Sequence, residues 1–296
     1  MLTSIPKNIR AILIITLIVI FYVGGATILM EMITFDHLIS GDEKLAPFGS
    51  AYSAFLTWVA TSYGAGAVSI CMSILAFRTL SKLTPSMKFS AIIFSVFIGG
   101  ISIILLGLSG NAAFNAAENT LCFSEGFCAQ GAALTPAIVS EYTKLSLNTV
   151  FQIAAVTLLC GFIFSLADGN DNDIEEQKPA ITLFYCAAVL LTLIVLTDLL
   201  FFEFMTKILP EGSNLLAYQK GFVVFFAIMS SVTLLFALLA GIYLGLQSSH
   251  VGLNQENNEK ASKLFNSLIG TASISRSLAA FSPILVTLIS SFADGF

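Results

Sequence analysis

Residues 221–246 read GFVVFFAIMSSVTLLFALLAGIYLGL, 26 consecutive residues without a charge. As a helix rising about 1.5 Å per residue, the run extends about 39 Å, more than the roughly 30 Å hydrocarbon core of a bilayer. Hydrocarbon offers no partner to a backbone amide, so such a run satisfies its own hydrogen bonds and is predicted to be a spanning helix. Composition agrees over the whole chain. Hydrophobic residues make up 56% of the 296 positions and charged residues only 10%, too few to coat a soluble domain of this length.

Comparable apolar runs occur at 11–30, 51–77, 89–109, 146–167 and 180–205, with a shorter one at 277–292. The last, SLAAFSPILVTLISSF, carries four serines, a threonine and Pro283, and is open to a short span or a re-entrant or interfacial helix. The first run follows Lys7 and Arg10 and ends without a small-residue cleavage site, which reads as a retained anchor. Basic residues orient the bundle. With the N-terminus cytoplasmic, nine of the 13 lie in inner segments (Lys7, Arg10, Arg78, Lys82, Lys88, Lys178, Lys260, Lys263, Arg276) and four in outer ones (Lys44, Lys144, Lys207, Lys220). The inner loop DGNDNDIEEQK at 168–178 is acidic, but acidic residues weigh little in that rule.

The expected fold class is all-α, a polytopic integral membrane helical bundle of six or seven transmembrane helices with a cytoplasmic N-terminus. Residues 1–250 form the bundle, with an outer loop at about 110–135. Residues 251–296 hold a cytoplasmic amphipathic helix and the short terminal hydrophobic segment. In KASKLFNSLIGTASISRS, Ala261, Leu264, Phe265, Leu268, Ile269 and Ala272 fall on one helical face, the pattern of an interfacial helix flanked by basic residues.

Cys122 and Cys128 bracket CFSEGFC in the outer loop, where an oxidising compartment favours a disulfide over two free thiols. Cys71, Cys160 and Cys186 fall within spans and read as packed thiols. No metal site is expected, because neither His37 nor His250 has a second ligand at metal-binding spacing.

Small and hydroxyl residues mark two helix faces. In SAYSAFLTWVATSYGAGAVS (50–69), Ser53, Thr57, Thr61 and Gly64 share a face that either packs against another helix or lines a hydrated path. Tyr52, Trp58 and Tyr63 are expected near the outer interface. Ala237, Gly241 and Gly245 repeat every four residues in the run that opened this reading, a small-residue seam for close helix approach within the chain or to a second copy.

Ionisable groups inside a membrane are the usual functional pointers, and few are present. Asp198, in LIVLTDLLFFEFM, lies in the outer third of its run, and Glu203 follows on an adjoining face. A cation or proton site is one reading of Asp198. The other is an interfacial ion pair with an outer lysine such as Lys207 or Lys220. Glu31 and Gln152 are further polar residues that could extend a cluster toward it, though both types are ordinary at interfaces and helix contacts.

No Walker loop, GxSxG elbow, HExxH, Cys/His cluster or dinucleotide fingerprint occurs, so neither catalysis nor a cofactor is expected. The net charge of −5 gives no general affinity for nucleic acid. The expected function is a membrane transport or channel-type protein for an ion or small solute, with Asp198, Glu203, Ser53, Thr57 and Thr61 as pathway candidates. The alternative is a non-catalytic subunit of a larger, possibly homo-oligomeric, membrane assembly of the secretion, motor or energy-transducing kind. The expected partners are the lipid bilayer and, through helix contacts, further copies or other subunits; the expected location is a bacterial inner membrane.

Overall fold

The computed structural model describes residues 6–31, 45–101, 104, 122, 124, 127, 128, 135–168, 174–210, 213–249 and 278–287. The amphipathic stretch 261–272, most of the loop 110–135, Gly126 and the end of the terminal run at 288–292 lie outside the described residues. Among those described there is no strand. The helices are α1 (Lys7–Glu31), α2 (Tyr52–Leu80), α3 (Pro85–Ile101), α4 (Pro136–Asp168), α5 (Ile174–Thr206), α6 (Asn214–Ser249) and α7 (Leu278–Thr287), with a 3-10 turn at Phe48–Ala51 leading into α2.

Four helical stretches are long and apolar enough to cross a membrane: Phe48–Leu80, Pro136–Asp168, Pro179–Thr206 and Asn214–Gly241. They fit an all-α membrane bundle. Two helix starts, those of α4 and α3, fall at a Thr-Pro pair. The hydroxyl of Thr135 accepts from the Ile138 N–H at 3.2 Å, and Pro136 follows at the first helical position, where its missing N–H is not needed. Thr84 and Pro85 repeat the Thr-Pro sequence at the start of α3, where the Lys88 N–H returns to the Thr84 carbonyl at 2.8 Å, while the Thr84 hydroxyl is taken by Asp168 instead of capping the helix. α5 begins at Ile174, so Pro179 lies inside the helix, where it still falls near the N-terminal end.

Packing centres on α4, which touches α1, α2, α5 and α6. Its residues Phe151, Ala154, Leu158, Phe162, Ile163 and Phe164 are buried, and they point to all sides of the helix. A helix apolar all round belongs in the middle of a bundle, and the sequence of α4 fits that place. Lipid is as apolar as leucine, so association relies on close packing rather than on escape from water. Two glycines supply it. A β-carbon on Gly161 would stand 2.7 Å from Leu183 Cδ1 of α5, and one on Gly241 would stand 2.7 Å from both Phe162 Cζ and Leu166 Cδ1 of α4.

Successive helices from α1 to α6 alternate in direction. At one end, Asn8 of α1 reaches Ser90 of α3, and Asp168 at the end of α4 takes both the N–H and the hydroxyl of Thr84, at 2.8 and 2.6 Å. At the other end, Phe48, Phe55, Trp58, Phe127, Phe201 and Phe204 form one aromatic cluster with Ala137 and Leu215. α7 joins α5 through the Ser282 and Thr192 hydroxyls, 2.7 Å apart. Its ten described residues are too few to cross a bilayer unaided.

Candidate functional site

Asp198 of α5 faces inward from a stretch that is otherwise apolar, and the side chain is half-buried. Its electrostatic partner is Lys144 of α4. The expected partners Lys207 and Lys220 are instead exposed at the end of the bundle. The reason is the length of α4. It starts at Pro136, two turns before Lys144, so a lysine assigned by hydropathy to a loop stands on the central helix. Lys144 also lays its ammonium 3.6 Å from the centre of the Phe201 ring, a cation–π contact that holds it against the aromatic cluster.

A second group of polar side chains lies deeper along the same helices. Asp198 acts electrostatically on Tyr22 of α1, and Ser230 of α6 faces the Tyr22 hydroxyl. The Ser230 hydroxyl is fully buried and has no hydrogen-bond partner of normal geometry; the same holds for its neighbours Ser231 and Thr233. Between α1, α4, α5 and α6 is a small cavity of about 20 Å³ whose wall is almost wholly carbon, contributed by Ile18, Leu191 and other apolar side chains and by the apolar parts of Tyr22, Gln152 and Thr233. Eight residues separate Lys144 from Gln152, about 12 Å along α4, so Gln152 stands nearer the middle of the bundle.

Glu203 is exposed and does not join this group. Neither do the α2 hydroxyls. Ser53 and Thr57 are exposed on the outside of the bundle, Thr61 is half-buried, and Gly64 is exposed, with open space where a β-carbon would stand. Thr57 donates to the Ser53 carbonyl one turn earlier at 2.9 Å, which satisfies the hydroxyl without any neighbouring helix. The inward face of α2 carries Phe55, Trp58, Ser62, Ala65 and Ser69. Trp58, expected at an interface, is 1% exposed, with its ring 5.0 Å from that of Phe201. Tyr52 and Tyr63 are exposed.

No protein-family model, curated protein or solved structure matches the chain. The site is therefore described by its own chemistry. Among the described residues no cluster of His, Cys, Asp or Glu could hold a metal ion.

A crosslinked loop packs into the aromatic end of the bundle. Cys122 and Cys128 are joined by a disulfide, with their α-carbons 5.0 Å apart. Phe127, within that ring, is fully buried, 5.5 Å from Phe48 and 6.2 Å from Phe204. The Ser124 hydroxyl donates to the Ala46 carbonyl at 2.7 Å, and the Ala46 N–H donates to Ile208 at 2.9 Å, which ties the loop to the turn after α5. In the small-residue seam, Gly241 lies against α4 of the same chain and Ala237 is fully buried. The surroundings of Gly245 lie outside the described residues.

Lys144, Tyr22, Ser230 and Thr233 were not singled out by sequence reasoning. A signal existed for the two α6 residues: SSVT is the only polar stretch in the charge-free run 221–246, and it stands near the middle.

Proposed function

We propose that the protein transports an ion or small solute across a bacterial inner membrane, by a route through the interior of the bundle rather than along α2. The observation that carries this reading is the group formed by Lys144, Asp198, Tyr22 and Ser230, together with the buried, unpartnered hydroxyls of Ser231 and Thr233, set among helices that are otherwise apolar. Burying ionisable and unpartnered polar groups in a membrane is costly, and such groups usually mark a route or a relay. The aromatic cluster above Lys144 supports a form closed at that end. A helical bundle suits an inner membrane, since outer membranes are spanned by barrels.

The proposed topology has six spans, α1 to α6, with the N-terminus cytoplasmic, and α7 as a short seventh span or a re-entrant segment. Its support is the alternation of helix directions together with the nine-to-four division of basic residues. Tags at Asn170 and Gly126 test it in intact cells: Asn170 is expected to be cytoplasmic and Gly126 external, and the reverse pattern overturns the orientation.

Thiol access tests the route. In a background lacking Cys71, Cys160 and Cys186, Ser230→Cys is expected to react with a water-soluble thiol reagent and Thr57→Cys, on the lipid-facing side, to resist it. Resistance at Ser230→Cys from both sides of the membrane overturns the transport reading and favours a non-catalytic subunit of a larger assembly. The exposed small-residue face of α2 around Gly64 would then be the first contact to examine.

A further inference from the structure

Three helix ends meet where Asp168 closes the bundle. The Asn8 amide of α1 donates to the Ser90 hydroxyl of α3 at 3.5 Å, and the short turn at 81–84 joins α2 to α3. Basic residues gather in these segments: Lys7 in the first turn of α1, Arg78 in the last turn of α2, Lys82 in the turn and Lys88 in the first turn of α3. Lys7, Arg78 and Lys82 are exposed and Lys88 is half-buried, and among the described residues none of the four has an ion-pair partner. Asp168 is already occupied, its two oxygens taking the N–H and the hydroxyl of Thr84. That contact also leaves the start of α3 open. The Thr84 hydroxyl donates to Asp168 instead of accepting from the first turn, and the N–H groups of Ser86 and Met87 have no acceptor among the described residues. Free N–H groups at a helix start favour an anion. Directly below this charge the surface turns apolar. Phe89, Ile93 and Val96 form one stripe of α3, 70, 52 and 67% exposed, and Phe77, the residue before Arg78, is exposed as well.

We infer that this end of the bundle, around the start of α3, docks an anionic phospholipid, its phosphate held by Arg78, Lys82 and Lys88 with the first N–H groups of α3 and its acyl chains lying on Phe89 and Ile93. Unpaired cations at headgroup level above exposed apolar side chains complement the two ends of such a molecule. A zwitterionic lipid brings its own ammonium to the phosphate and gains less from added cations, which selects the anionic class. In the topology proposed above, the surface faces the cytoplasmic leaflet, the side where anionic lipid sets a negative surface potential. It is separate from the interior group at Asp198, so the inference needs the membrane bundle and not the transport reading. The acids at 171–176 follow Asp168 along the chain and are the competing occupants.

Titration of the purified protein with short-chain phosphatidylglycerol or phosphatidylcholine, read as bound lipid by native mass spectrometry, tests the assignment. A cation beside an anionic headgroup is worth about fivefold in affinity, so the parent is expected to prefer phosphatidylglycerol by roughly tenfold or more, and Arg78→Gln with Lys82→Gln and Lys88→Gln to bring the two lipids close to parity. Those side chains form no ion pair among the described residues, so the triple variant is expected to melt like the parent in phosphatidylcholine. Arg78→Lys with Lys82→Arg and Lys88→Arg is expected to keep the preference, and so is Lys207→Gln with Lys220→Gln at the opposite end. Equal binding of the two lipids by the parent overturns the inference and assigns the cations to the acids at 171–176. A preference that the triple glutamine variant retains, or that the Lys207 and Lys220 variant loses, overturns it as well. Inorganic phosphate is expected to leave the melting temperature unchanged, and protection equal to that by phosphatidylglycerol would remove the lipid as the occupant.

Discussion

The ammonium of Lys144 lies 3.6 Å from the centre of the Phe201 ring and at the same time serves as the counter-charge of Asp198. One lysine thus couples the aromatic end of the bundle to its polar interior. Phe201 in turn packs on Trp58 and Phe204, so a displacement of the aromatic cluster would move the partner of Asp198.

A double-mutant cycle measures that pair. Asp198 is half-buried, so its worth lies between that of a surface pair and a fully buried one. Lys144→Met is predicted to lower stability by about 1 to 3 kcal/mol, because it strands the carboxylate. Asp198→Asn with Lys144→Met is predicted to recover at least half of the loss, since no lone charge remains. Additive single losses, read from thermal unfolding in detergent, would remove the pair from the account. For transport, Asp198→Asn is predicted to abolish flux with expression intact, and a variant that transports like the parent would take Asp198 out of the route.

The two close-packed glycines predict different outcomes for the same substitution. Alanine gains about 1 kcal/mol over glycine in a helix interior, which works against the steric penalty. At Gly161 the obstacle is the single terminal methyl of Leu183, and Gly161→Ala is predicted to be near neutral. At Gly241 the new methyl meets Phe162 and Leu166 together, both buried. Overpacking of about 1 to 3 kcal/mol should win there, giving a net loss. Melting temperatures of the two variants in one detergent check the order, and a Gly241→Ala protein as stable as the parent would show that α4 and α6 separate easily.

The long helices were legible because apolar runs of membrane length admit few other structures. The start of α4 at Pro136 places Lys144 on the helix, yet hydropathy alone counted this lysine with the loop. The α2 stripe illustrates a different limit. Spacing places Ser53, Thr57 and Thr61 on one face, but which face turns inward depends on the bulk of Phe55 and Trp58 and on the neighbours that receive them. Hydroxyls bonded to their own helix need no partner, so their grouping carries no direction. Tyr22 and Thr233 meet only through tertiary packing of helices more than 200 residues apart in sequence.

Phe127 is predicted to matter more than the disulfide that frames it. The crosslink closes a short loop and contributes roughly 2 kcal/mol by loop entropy. Removing a fully buried phenylalanine costs about 3 to 5 kcal/mol, here by opening a void between Phe48 and Phe204. Phe127→Ala should therefore lower the melting temperature further than Cys122→Ser with Cys128→Ser. The opposite order would mean that the loop is held by its covalent ring rather than by the aromatic cluster.

At the opposite end, Asp168 accepts both the N–H and the hydroxyl of Thr84, so it secures the turn between α2 and α3 from the end of α4. An acid counted in the sequence as part of a charged loop is thus a tertiary cap. Asp168→Ala is predicted to destabilise by about 1 to 2 kcal/mol, the range for losing a cap and a charge-assisted hydrogen bond. Asp168→Asn should lose less, since its amide oxygen can still accept from the Thr84 N–H. Thr84→Ala removes only the hydroxyl, leaving the backbone bond, and should fall between the parent and Asp168→Ala. Because one network is being dismantled, Thr84→Ala placed on Asp168→Ala should add almost nothing. Full additivity in thermal unfolding would show that the two residues act independently and that the turn is held by other contacts.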